Sequence, residues 1–223
     1  MQTSALQMRV ETPDAAAHLV GALERASHMR EPFDYWLLRD VLPENLIDSV
    51  LSLPFSPMHN PVFEGRRENN NGVRCHFSLA RQKEYTACRD VVAAFAHPTS
   101  IAAIERLTNI NLSQGQLRIE YCQDEDGFWL EPHLDLGAKM FTMMLYLSDD
   151  PLLRDAGTDI YDASPAHKLV VSAPYERNHG MIFIPGTNTW HGFSKRTIRG
   201  LRKSLMINFV SPEWRNKDEL AYQ

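Results

Sequence analysis

Three residues far apart in this chain could hold one metal ion. His133 and Asp135 are separated only by Leu134, and residues two apart in extended chain point to the same side. An imidazole and a carboxylate would then face one ion together. A third ligand, His191, comes much later, at the end of a segment (181–191) that reads as strand, turn and short strand. Two histidines and one carboxylate on one side of a metal leave the opposite positions open, the arrangement suited to non-haem Fe(II). Two open positions would accept the keto acid end of 2-oxoglutarate and one would accept O2. The single aspartate partly neutralises Fe(II) without saturating it.

A His-X-Asp tripeptide also arises by chance, and the bland reading is an ordinary hydrogen-bonded histidine. Arg202 adds weight, because a co-substrate with a distal carboxylate needs a cation at a fixed distance from the metal. Arg202 and Ser204 share a strand face, where a guanidinium fork can bind a carboxylate bidentately and a hydroxyl can add a hydrogen bond. Two alternatives stay open: Arg202 belongs to a solvated basic stretch with Lys195, Arg196, Arg199 and Lys203, or Arg199 is the anchor. His167 and His179 read as solvated strand-edge residues rather than a second metal set. The methionines between Met140 and Met144 read as filling for irregular core space.

The elements that must position these residues change character along the chain. Apolar periodicity and Pro punctuation predict helices over 14–29, 43–53, 83–96 and 100–107. A polar segment, 59–74, contains Asn69-Asn70-Asn71-Gly72 and reads as a mobile loop. His59, His76, Arg66, Arg67 and Arg74 occupy or flank it, and it could close over a substrate as a lid. From 115 onward, short β-branched and apolar runs predict strands over 116–122, 139–147, 158–161, 168–172, 181–185 and 204–210. Many short strands without intervening helices suggest an antiparallel sandwich or barrel with the earlier helices packed outside. The end of the chain, 211–223, reads as a C-terminal helix or tail.

Composition bounds the rest. The chain has 223 residues, 43% hydrophobic, enough for one core and short for two, so a single domain over 1–223 is expected. A net charge of -5 does not favour phosphate backbones or anionic membranes. Cys75, Cys88 and Cys122 lack both disulfide-framework and zinc spacing, which fits a reducing cytoplasm. No stretch has the apolar length of a signal peptide or a membrane span.

Taken in order, these elements make the region 117–209 resemble the Fe(II)/2-oxoglutarate dioxygenase superfamily, in its prolyl-4-hydroxylase-like branch. The resemblance rests on Tyr121, His133-Leu134-Asp135, Thr142-Met143-Met144-Leu145-Tyr146-Leu147, Gly157-Thr158-Asp159, Phe183-Ile184-Pro185, Trp190-His191-Gly192 and Arg202-Lys203-Ser204. It implies an α+β, mainly β fold: a double-stranded β-helix of the jelly-roll or cupin-like kind over 115–210, flanked by N-terminal helices over 1–112. It implies Fe(II), O2 and 2-oxoglutarate as co-substrate, with His133, Asp135 and His191 on the metal. Arg202 would anchor the distal carboxylate, with Ser204, Tyr146 and Thr142 as lesser contacts, Tyr121 lining the pocket and Asn208 on the same face as Arg202. Where the family often has a second glycine, this chain has Thr158, which should alter a turn without touching the metal. Related halogenases have lost the carboxylate ligand, so Asp135 points to hydroxylation or a related oxidation instead. The substrate reads as a small molecule, an amino acid, sugar or specialised metabolite. Protein hydroxylation and a non-enzymatic cupin-like metal binder are the alternatives, and nucleic acid is disfavoured.

Overall fold

The computed structural model describes residues 12–57, 63–66 and 75–222. Among the described residues, eleven strands form two sheets. The N-terminal part contributes α1 (Thr12–Glu24), β1 (Ser27–Met29), β2 (Tyr35–Leu38), α2 (Glu44–Leu51), β3 (Cys75–His76), α3 (Leu79–Glu84), α4 (Thr86–Ala96) and α5 (Pro98–Thr108). The remainder is β4 (Gln116–Asp124), β5 (Leu130–His133), β6 (Lys139–Tyr146), β7 (Asp159–Tyr161), β8 (Leu169–Ser172), β9 (His179–Phe183), β10 (His191–Phe193) and β11 (Arg202–Val210). The larger sheet runs β1-β2-β9-β6-β11-β4-β3 and the smaller β5-β10-β7-β8, with every pairing antiparallel.

Strand alternation divides the interior in two. Leu117, Ile119, Phe141, Met143, Leu145, Leu205, Ile207 and Phe209 leave the larger sheet on one side and pack with Leu19, Leu23, Val91, Phe95 and Ile104 of the helices. Cys122, Met144, Tyr146, Phe183 and Met206 leave on the other and meet Leu130, Ile160 and Phe193 of the smaller sheet. Period-two side chains buried on both faces explain why β6 and β11 read as continuous apolar runs. His133, Asp135, His191 and Arg202 face the second side, between the sheets.

Several boundaries differ from the sequence expectation. The first helix stops at Glu24, and Ser27–Met29 pairs with β2 as an edge hairpin. β2 itself, Tyr35-Trp36-Leu37-Leu38, was not expected; it lies against β9, and tertiary pairing decides so short a run. The helix expected over 83–96 breaks at Tyr85, whose extended backbone (φ -125°, ψ 118°) separates α3 from α4. At the C-terminus only a 3-10 turn, Lys217–Glu219, forms instead of a helix. There Glu219 is drawn to Arg118 and Ala221 N–H donates to the carbonyl of Leu117, so tertiary contacts replace the helical ladder. Of the expected lid residues, His59, Arg67, Arg74 and Asn69 to Gly72 lie outside the described residues. No helix among those described is long and apolar enough to cross a membrane.

Candidate metal centre

β5 and β10 pair with His191 directly opposite His133, so both imidazoles leave the same face and their ring centroids are 4.4 Å apart. Gly192 permits this approach: a Cβ there would lie 2.8 Å from the carbonyl oxygen of Leu130 and 2.9 Å from that of Glu131. Asp135 lies just past β5 and brings its carboxylate to the same spot. One ligand atom from each of His133, Asp135 and His191 lies within 4.8 Å of the other two.

Neighbouring contacts set the protonation of this group. His133 Nδ1 is 2.8 Å from the carbonyl oxygen of Glu131, and His191 Nδ1 is 2.9 Å from that of Thr189. A carbonyl can only accept, so each Nδ1 carries the proton and each lone pair is on Nε2. Burial pushes His191 down to about 4, the nearby Asp135 only partly opposing it. Asp135 accepts hydrogen bonds from Lys139 Nζ (2.5 Å) and Thr142 Oγ1 (2.6 Å). Burial works to raise the Asp135 pKa, but the charges of Lys139 and His191 and these two donors hold it well below the usual carboxylate range. Thr142 is oriented in turn by Asn208 Nδ2 at 2.9 Å. Two imidazoles with outward lone pairs and an ionised carboxylate make a donor set that fits a divalent first-row metal.

The group opens into a cavity of about 800 Å³ between the sheets. Arg202, Met206, Thr142 and Met144 line it from the larger sheet, and Leu130, Gly192 and Phe193 from the smaller. Arg202 is 2% exposed, so it does not belong to a solvated stretch; Arg199 is exposed and is not among the lining residues. The Arg202 guanidinium donates from Nε to the Ala156 carbonyl and from Nη1 to Asp124 Oδ2, each at 2.6 Å.

The other predicted residues are distributed unevenly. Ser204 is fully buried on the face of Arg202, and its hydroxyl has no hydrogen-bond partner among the described residues. Tyr146 is buried beneath Thr158: its hydroxyl donates to Thr158 Oγ1 (2.8 Å) and accepts from Thr158 N–H (3.1 Å), leaving Thr158 as the lining residue. Tyr121 does not line the cavity. It points to the helix side and packs on Phe55, with ring centroids 6.0 Å apart, because Arg118, Glu120 and Cys122 take the alternate positions of β4. His167 stacks on Trp190 at 3.8 Å and His179 lies 3.1 Å from Glu176, so neither is simply solvated. Met143 is fully buried in the helix-side core, while Met144 lines the cavity.

Sequence reasoning missed four parts of the site. Lys139 meets the Asp135 carboxylate. Asp124 pairs with Arg202 from the position directly opposite it on β4. Arg118 lines the cavity while it binds Glu120, Asn208, His76 and Glu219, tying the C-terminal turn to the sheet. Asp159, fully buried, accepts from Arg196, Ser172 and Ser194 behind β10. Only Lys139 had a readable signal, its position four residues past Asp135.

The sequence matches no protein-family model and no curated protein. Solved structures do match. A prolyl-4-hydroxylase from Pseudomonas putida superposes with a TM-score of 0.54 at 16% identity, over 88% of this chain and 93% of that one. The fold is that of the prolyl 4-hydroxylases. Prolyl 4-hydroxylases from Phytophthora capsici give a TM-score of 0.55 at 12% identity, covering 96% of this chain and 69% of that one. The α-ketoglutarate-dependent epimerase SnoN from nogalamycin biosynthesis gives 0.51 at 17% identity, covering 89% and 82%. This chain thus shares their fold, a double-stranded β-helix with its helices on one outer face.

Proposed function

We propose that the chain is an Fe(II)- and 2-oxoglutarate-dependent oxygenase that hydroxylates an unactivated C–H bond of a small molecule, releasing succinate and CO2. The observation carrying this reading is the convergence of His133, Asp135 and His191 within 4.8 Å inside a cavity that Arg202 also lines. When bound, Fe(II) with 2-oxoglutarate and O2 would supply the oxidising chemistry. His133 and His191 would offer Nε2 lone pairs fixed in direction by their Nδ1–H donors. Asp135 would supply the neutralising charge, steadied by Thr142. Arg202, with Thr158 and Ser204 nearby, would hold the distal carboxylate of the co-substrate. Phe128, Phe183 and Phe193 line the cavity and would keep water from the reacting groups.

The test is succinate formation that requires Fe(II), 2-oxoglutarate and O2 together; a pure protein that binds neither iron nor 2-oxoglutarate ends the proposal. Alanine at His133, Asp135 or His191 is expected to abolish metal-dependent turnover, and retained turnover would show a misassigned ligand. One neighbour favours a second reading, hydroxylation of a protein: a Trichoplax adhaerens prolyl hydroxylase, in complex with a hypoxia inducible factor oxygen degradation domain peptide fragment, matches with a TM-score of 0.54 at 12% identity. Stimulation of succinate release by proline-containing peptides, with none by metabolites, would establish that reading instead.

A further inference from the structure

We infer that the substrate carries a carboxylate beside the carbon to be oxidised, and that Lys139 receives it. This rests on the oxygenase reading and names the substrate chemistry of the same site.

The inference starts from how the lining cations are paired. Arg202 has Asp124, Arg118 has Glu120 and Glu219, and Arg66 has Glu131. Each of these partners lies outside the metal group. Lys139 differs: among the described residues its one ion pair is with Asp135, itself a proposed metal ligand. The Lys139 side chain is 12% exposed, and its ammonium lies 2.5 Å from Asp135 Oδ1 and 3.9 Å from Met206 Sδ. Arg215, the other lining cation, is exposed at the rim.

A divalent ion on His133, Asp135 and His191 draws on the same carboxylate. Asp135 and the keto acid carboxylate of 2-oxoglutarate would set two negative charges against the three positive charges of a divalent ion and the ammonium, so one positive charge stays uncompensated, and cations sharing an enclosed cavity repel. Metal loading therefore leaves Lys139 under-compensated in a partly buried position, which favours an incoming anion. The distal carboxylate of 2-oxoglutarate does not fill this role, because Arg202 stands at the far end of the same strand pair. Lys139 aligns with Val210 at one end of β11, and Arg202 begins β11 at the other. A carboxylate on Lys139 Nζ would sit beside Asp135, placing the adjoining carbons next to the His133, Asp135 and His191 group that would hold the metal. Substrates of this geometry are amino acids, hydroxy acids and related small carboxylic acids, rather than neutral sugars.

The experiment uses the full chain loaded with Mn(II) and 2-oxoglutarate, with calorimetric titration of free amino and hydroxy acids and of their primary amides. At least one acid should bind, its amide about tenfold or more weaker, and the acid should bind about tenfold more weakly to protein stripped with EDTA. Lys139→Met should weaken acid binding about tenfold, and Lys139→Arg should recover most of it, because a charge-assisted contact is lost and then restored. Acids and amides binding alike, no acid binding, or undiminished acid binding in Lys139→Met each overturn the inference. A Lys139→Met change confined to the 2-oxoglutarate requirement also overturns it, assigning the lysine to the co-substrate. Wild-type protein that binds neither Mn(II) nor 2-oxoglutarate instead removes the oxygenase reading beneath it.

Discussion

Lys139 and Asp135 form a pair that metal binding at Asp135 would rearrange. The Asp135 side chain is 4% exposed, and a buried carboxylate stripped of its counter-charge costs about 3–5 kcal/mol. Lys139→Met should therefore lower the melting temperature of the metal-free protein while enlarging the stabilisation that Mn(II) adds, since metal no longer competes with an ammonium. A thermal melt with and without Mn(II) checks this; an unchanged metal-free melting temperature would count against the pairing. Arg202 needs a similar control. Arg202→Met should raise the 2-oxoglutarate requirement about tenfold or more, but it also leaves buried Asp124 without its partner. Coupling it to Asp124→Asn removes the stranded charge, so the double variant should regain stability and not 2-oxoglutarate affinity. Co-substrate titration of a folded double variant that still binds normally would move the anchor elsewhere.

At the scale of elements, the antiparallel β5–β10 pairing decides whether His133 and His191 meet at all. Gly192→Ala would drive a methyl group into two backbone carbonyls, and such overpacking costs about 1–3 kcal/mol. Because the displaced strand carries His191, metal affinity should fall more than stability does, and comparing metal titration with denaturant unfolding checks the difference. Strand parity was also readable. Leu117, Ile119 and Tyr121 alternate with Arg118, Glu120 and Cys122, so a polar face toward the cavity already placed Tyr121 on the opposite side. The family resemblance set Tyr121 in the pocket, and the alternation contradicted it. β2 and the broken helix at Tyr85 had no comparable signal, since strand pairing and helix packing fixed them from outside their own sequence.

At the scale of the whole molecule, burial of the ligand group makes stability fall in acid in two stages. The His191 pKa drops from its ordinary 6.5 to about 4. Its folded state binds fewer protons than its unfolded state, so the stabilisation is complete above pH 6.5 and is lost as pH falls toward 4. That loss is about 3 kcal/mol. Asp135, Asp159 and Glu219 are all depressed against the upward push of burial, by ion pairs and hydrogen bonds. Their contribution is present above ordinary carboxylate values and is lost only as pH falls below them. Metal-free protein should thus lose melting temperature between pH 6.5 and 4, and His191→Gln should flatten that slope without removing the steeper loss at lower pH. An unaltered slope in the variant would place the sensitivity in another group.

The sequence by itself determined the alternating strands, the helical flank and the His133, Asp135 and His191 set, because period-two burial and ligand chemistry are written in residue type and spacing. Tertiary structure alone decided the partners Asp124 on Arg202, Thr158 over Tyr146 and Arg118 on Glu219. These depend on register between strands distant in the chain and on which charges share a buried space, and neither is encoded in any local stretch of sequence.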